Sequence, residues 1–184
     1  MSDEHAKPRL TLERLWQFSL QYYSVREVKE ACLRLQNSHH GNVNLLLLLK
    51  WLDEQQLTFA ETDWPTVLEC LSHSETLLHD FRDLRRRLKS HLPDTLYREA
   101  LQFELQLEKQ QQADLVHCIN RMTLHPAQDL SLTLQYCKML GAECLAELFQ
   151  LHTENPIIQH HDHVYCCQGA EKSPLTNSAA SLAA

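Results

Sequence analysis

Gly41-Asn42-Val43-Asn44-Leu45-Leu46-Leu47-Leu48-Leu49-Lys50-Trp51-Leu52 is the stretch that decides the fold. From Val43 or Asn44 a helix starts, Leu45 to about Gln56, whose apolar residues fall on nearly every side. A helix apolar all round cannot lie on a surface, so it is expected at the centre of the molecule with other helices packed around it. The run of five leucines ends at Lys50, far short of the roughly 20 residues needed to cross a bilayer.

On the N-terminal side, Leu12, Leu15, Trp16, Ser19 and Tyr23 recur at spacings of three and four and predict a helix from about Thr11, its N-cap, to Tyr23. Ser24-Val25-Arg26-Glu27 has the capping-box pattern and starts a second helix through Val28, Ala31, Cys32 and Leu35. The polar Asn37 to Asn42 segment ends it, with Gly41 suited to a left-handed C-terminal position.

On the C-terminal side, Thr62-Asp63 before Trp64-Pro65 supplies a cap and a first-turn proline for a long helix to about Lys89. Its stripe is Val67, Leu68, Leu71, Leu78, Phe81, Leu84 and Leu88. Pro93 breaks the pattern and Asp94 restarts it, with Leu96, Ala100, Phe103, Leu107, Leu115, Cys118, Ile119 and Met122 in period. Two long amphipathic helices joined by a short turn make an antiparallel hairpin. A shorter pair follows, Leu130 to Leu140 and Ala142 to Leu151, punctuated by Gly141. The expectation is an all-α, single-domain bundle of six to seven helices with a long central hairpin. Residues 1–10 form a flexible N-terminus, 11–152 the helical domain, and 153–184 a tail too polar and Ser/Ala-rich to order itself.

Composition agrees with this. Three Gly and six Pro among 184 residues leave little material for an all-β fold's turns. The net charge of −7 disfavours nucleic acid and anionic membranes, which require a local excess of Lys and Arg. Arg85-Arg86-Arg87 with Lys89 goes against that balance, but neighbouring residues on a helix diverge by about 100°, so the cluster reads as a solvated face. Seven cysteines, five at apolar helical positions, read as reduced, buried thiols. With Asp3 and Glu4 near the start and no long apolar stretch after them, nothing directs export, and a cytoplasmic location is expected.

Three groups of residues are candidates for chemistry. His160, His161, His163, Cys166 and Cys167 gather metal-binding side chains in eight residues, although adjacent cysteines fit metal-ligand spacing poorly and the bland reading is a polar tail. Gln36, His40, Asn42 and Asn44, beside Trp16, Tyr23 and Trp51, could orient a small ligand at the junction of the second and third helices. Capping of exposed backbone groups is the heavier reading there. The long hairpin could expose an apolar strip to a partner, with Glu99, Glu104, Glu108, Lys109 and Gln110 to Gln112 forming a wet face; most such stripes are simply core. No C-x-x-C, G-x-S-x-G, H-E-x-x-H, P-loop or G-x-G-x-x-G is present, and no cofactor is expected.

The series Leu15-Trp16-Gln17-Phe18, Tyr23, Ala31-Cys32-Leu33-Arg34-Leu35-Gln36, Gly41-Asn42-Val43-Asn44-Leu45-Leu46 and Trp51-Leu52 resembles a family of small helical proteobacterial proteins known as a domain of unknown function. The likeness is dense from about residue 12 to 52 and thinner to about 122. It implies a bacterial, cytoplasmic, helical protein and brings no reaction, cofactor or catalytic residue to carry over. The leading expectation is a non-catalytic protein that works by protein–protein interaction. The alternatives are a small-ligand binder or enzyme at the second-to-third helix junction, and metal binding by the tail.

Overall fold

A computed structural model describes residues 9–127 and 130–150. Among the described residues seven α-helices carry the fold: α1 (Leu12–Tyr23), α2 (Arg26–His39), α3 (Val43–Glu54), α4 (Trp64–Leu88), α5 (Asp94–Arg121), α6 (Leu132–Met139) and α7 (Glu143–Gln150). A two-residue antiparallel pair, β1 (Leu57–Thr58) with β2 (His125–Pro126), clips the two halves of the chain together. The protein is an all-α, single-domain bundle.

Helix α3 occupies the centre, as its composition requires. Leu45 to Leu49 and Leu52 are all fully buried, and α1, α5 and α6 pack around the helix. Even Lys50 is buried; it keeps its charge partner Glu54 at 3.5 Å and lies 5.7 Å from the Tyr22 ring centroid. Asn42 caps α3 by accepting from the Leu45 amide at 2.8 Å. At the other end Asp53 accepts from the amides of Leu132 (2.7 Å) and Thr133 (3.0 Å), so the C-terminus of α3 holds the N-terminus of α6. Leu10 is buried too, and its carbonyl accepts from Asn120 Nδ2 at 2.8 Å.

Several local expectations change. Thr11 caps α1 through the Arg14 amide, but Ser24 does not cap α2. Its backbone stays helical (φ −69°, ψ −19°), whereas an N-cap must be extended, so Val25 takes that place and the Ser24 hydroxyl donates back to the Gln21 carbonyl at 2.6 Å. Asp63 does not cap α4 through its side chain, because a 3-10 turn, Glu61–Asp63, runs straight into the helix. The left-handed residue after α2 is His40 (φ 55°), not Gly41. Gly41 is required for space instead: a Cβ there would lie 2.6 Å from Leu35 Cγ and 2.8 Å from Leu140 Cδ1. Gly141, at φ 64°, takes the left-handed place after α6.

The largest correction concerns the hairpin. Helices α4 and α5 are 25 and 28 residues long, about 40 Å each at 1.5 Å per residue. The main core uses only their proximal parts: Trp64, Val67 and Leu71 of α4, with Leu115, Val116 and Ile119 of α5. Beyond Leu71 the two helices pack mainly on each other, and the seam between them is polar. Arg85, Glu104, Glu108, Gln111 and Gln112 are buried, against the solvated and wet faces read from the sequence. Leu68, Leu84, Leu88, Leu96 and Phe103, read as core, are 37–50% exposed. Both the polar and the apolar residues recur with helical period, and only the packing decides which set faces inward.

Candidate functional site: a polar cleft and an apolar strip on one hairpin

The junction of α2 and α3 faces the middle of α4 and α5, and between them lies a cleft of about 140 Å³. Gln36, His40, Gly41, Asn42 and Asn44 form one wall; Glu75, Leu78, His79 and Arg82 of α4 and Gln111 of α5 form the other. The cleft is smaller than the roughly 300 Å³ at which drug-sized pockets begin, so it suits a ligand of few heavy atoms. Of the candidates named from sequence, Gln36, His40, Asn42 and Asn44 come together here. Trp16, Tyr23 and Trp51 do not. Tyr23 and Trp51 are buried in the core, and Trp16 sits half-buried on α1 with Lys109 Nζ 5.5 Å from its ring centroid. His160, His161, His163, Cys166 and Cys167 lie outside the described residues.

Asn42 and Asn44 are already engaged. Gln112 Nε2 donates to Ser19 Oγ (2.9 Å) and Asn44 Oδ1 (3.1 Å). Asn44 Nδ2 and Asn42 Nδ2 donate to Gln111 Oε1 at 2.9 and 3.1 Å, and Gln111 Nε2 donates to Ser74 Oγ at 3.2 Å. This relay ties α1, α5, α3 and α4 into one register. Buried amides paired in this way favour one arrangement of the helices, although Gln112 Oε1 has no donor among the described residues. The backbone amide of Asn42 also donates to Tyr136 Oη at 2.8 Å. Gln36 and His40 are the groups of that wall left facing the cleft.

Next to the relay is an ion cluster that sequence reasoning missed. Arg82 donates from Nε to Glu104 at 3.1 Å and from Nη2 to Glu108 at 2.5 Å. Arg85 donates from Nε to the other oxygen of Glu104, and from Nη1 to Tyr97 Oη at 2.7 Å. Both carboxylates are fully buried. Burial pushes the Glu108 carboxyl up to about 8 even though Arg82 opposes the shift, and its second oxygen has no donor among the described residues. The guanidinium and carboxylate groups lock the hairpin, not a reacting atom. A signal was available: folding the chain back at Pro93 sets Arg82 and Arg85 within about a turn of Glu104.

Other groups offer little chemistry. Burial holds the thiols of Cys137 and Cys70 up at about 11 and 12 and raises Cys32 and Cys118 as well, so thiolate is scarce near neutral pH. Cys144 is exposed, and the five described cysteines are all free. Among the described residues, no three His, Cys, Asp or Glu side chains converge on a metal site, and no helix is long and apolar enough to cross a membrane.

The outer face of the hairpin differs in character. Leu77 (51%), Leu84 (45%) and Leu88 (37%) are exposed on α4 along the same stripe as half-buried Phe81. On α5, Leu96 (47%) and Phe103 (50%) are exposed beside half-buried Ala100 and Leu107. The Phe81 and Phe103 rings meet at 5.1 Å, which places the two stripes side by side as one strip. At about 100° per residue the strip lies about 160° around α4 from Glu75, His79 and Arg82, so it faces away from the cleft.

No curated protein and no solved structure matches the chain. Residues 14–115, which run from α1 through most of α5 and carry cleft, relay, ion cluster and strip alike, match the family described as "Protein of unknown function (DUF2390)". With more than half its length covered by that match, the chain belongs to this family of helical proteins.

Proposed function

We propose that this protein is non-catalytic and works by binding another protein chain through the outer face of the α4–α5 hairpin. The observation that carries this reading is the strip itself: four leucines and a phenylalanine, 37–51% exposed, aligned on two adjacent helices. Scattered surface leucines are ordinary, but a contiguous apolar patch with polar borders is costly to leave in water and marks an interaction face. Buried Arg85, Glu104 and Glu108 hold the seam beneath it, and Phe103 of the strip reaches across the hairpin to the Phe81 ring. Burial raises the thiols of Cys32, Cys70, Cys118 and Cys137, and the buried carboxylates of Glu104 and Glu108 are held by Arg82 and Arg85.

The test is a pull-down with the full chain and with Leu84→Asp/Phe103→Asp. The double substitution removes the Phe81–Phe103 ring contact, worth about 1 kcal/mol, so the variant is expected to stay folded with a slightly lowered melting temperature and to lose about tenfold or more of the captured partner. Undiminished capture by the variant would refute the strip as the binding face.

A second reading rests on the cleft. Its amides and imidazoles suit a small polar ligand, bound between Gln36 and His40 on one side and Glu75 and Arg82 on the other. A ligand that binds only the folded state raises its melting temperature by mass action. That rise should vanish in His40→Ala/Gln36→Ala, and persistence of the rise would exclude the cleft as its origin.

A further inference from the structure

We propose that the chain seated on the hairpin strip is a second copy of this protein, docked so that α4 lies antiparallel on its own counterpart and α5 on its own. The inference rests on reading the strip as an interface and adds the identity of the occupant.

Three observations lead to a second copy. The first is symmetry. Leu77, Phe81, Leu84 and Leu88 are spaced four, three, four, and so are Leu96, Ala100, Phe103 and Leu107. The spacing of each stripe therefore reads the same in both directions, so an isologous antiparallel contact lays apolar positions on apolar positions throughout. The two stripes are also centred at one height. Phe81 packs on Phe103, and Cys70 Sγ donates to the Asp114 carbonyl at 3.4 Å, so paired residues across the hairpin have numbers summing to about 184. On that register the midpoint of the α4 stripe lies opposite the midpoint of the α5 stripe. One axis perpendicular to the helices then satisfies both stripes at once, setting Leu77 against the partner subunit's Leu88 and Ala100 against the partner subunit's Phe103.

The second observation is charge. Asp80 and Arg87 flank the α4 stripe on its solvent side, both exposed, one on each side of the midpoint. In the antiparallel arrangement Asp80 faces the partner subunit's Arg87, and Arg87 faces the partner subunit's Asp80. The corresponding α5 residues, Glu99 and Gln106, set no like charges against each other. A parallel arrangement would oppose Asp80 to Asp80 and Arg87 to Arg87. Charges at the border of an interface select its orientation in this way.

The third is space and area. The hairpin tip reaches about 13 Å beyond the midpoint, and the α2–α3 corner meets α4 as far as Arg82, on the side of that helix turned away from the strip. The cleft lies on the far side of α4 from the strip, and Leu12 of α1 lies near Gln106 and Gln110 at the strip's α5 border. Two such strips with their borders cover on the order of 1,000 Å², the lower edge for a specific interface, which suits a weak, reversible dimer.

Sedimentation of the purified full chain tests this. Wild type should pass from monomer to dimer across roughly 1 to 100 µM. Asp80→Arg and Arg87→Asp each set like charges against each other at both ends and should dimerise about tenfold or more weakly, with unchanged circular dichroism. An equimolar mixture of the two variants restores two opposite-charge pairs and should recover the dimer as a heterodimer. A wild type that stays monomeric throughout overturns the proposal, as does a mixture no better associated than either variant alone. If wild type is monomeric while Leu84→Asp/Phe103→Asp still loses a different captured protein, self-association falls and the strip reading stands. If that variant loses nothing in either assay, both fall.

Discussion

Glu104→Ala is expected to destabilise the protein by about 3–5 kcal/mol, because it leaves the guanidinium of Arg85, only 5% exposed, without the carboxylate that compensates it. Arg82 loses one of its two carboxylate partners in the same step. Urea unfolding measures the loss. Replacing both members with apolar residues, Arg85→Met/Glu104→Leu, should recover most of it, since a buried pair costs desolvation energy that an apolar pair does not. The comparison separates stability from specificity: the cluster sets which faces of α4 and α5 meet, and an apolar seam would hold less register. A loss under about 0.5 kcal/mol for Glu104→Ala would mean that the cluster is not the hairpin's lock.

Glu108→Gln is expected to act in the opposite direction, and only at higher pH. Burial raises the Glu108 carboxyl from an ordinary value near 4.5 to about 8 in the folded protein, so the fold favours the protonated form. Below pH 4.5 the group is protonated whether the chain is folded or not and carries no penalty. As pH rises from 4.5 to 8 the unfolded chain ionises freely while the folded one resists, and stability is lost across that window. Glutamine has no charge to bury. The variant should match wild type near pH 4.5 and exceed it by on the order of 3 kcal/mol above pH 8, as read from urea midpoints along a pH series. Parallel curves for the two proteins would show that Glu108 is not held protonated by burial.

Both effects arise in a seam that was hard to read from sequence. Helix α3 was legible because a segment apolar on every side has only one place to go. The lengths of α4 and α5 were legible because Pro93 and Asp94 punctuate them. The facing of the hairpin was not. On α5, Leu96, Ala100, Phe103 and Leu107 share one helical period with Tyr97, Glu104, Glu108 and Gln111, about 80° around the helix. Hydrophobicity favours the first set as the buried one. Charge complementarity with Arg82 and Arg85, available only once the chain is folded back on itself, favours the second. The cleft was legible by halves. Gln36, His40, Asn42 and Asn44 come from one continuous corner of chain, whereas Glu75, His79, Arg82 and Gln111 arrive from helices 30 or more residues away and no local pattern announces them. Gly41 shows the same limit: its identity looked like a matter of backbone conformation, and is decided instead by the side chains of Leu35 and Leu140.

A consequence follows for the apolar strip. With Arg85, Glu104 and Glu108 buried in the seam, Leu77, Leu84, Leu88, Leu96 and Phe103 are left exposed among the described residues. The most direct test is site-specific photocrosslinking in cells, with a photoreactive aromatic residue at position 84 or 103 and, as control, at position 86 on the opposite face of α4. Positions 84 and 103 should each give a discrete protein adduct that position 86 does not. No adduct from 84 and 103, or the same adduct from 86, would contradict the assignment of this face as the protein's binding surface.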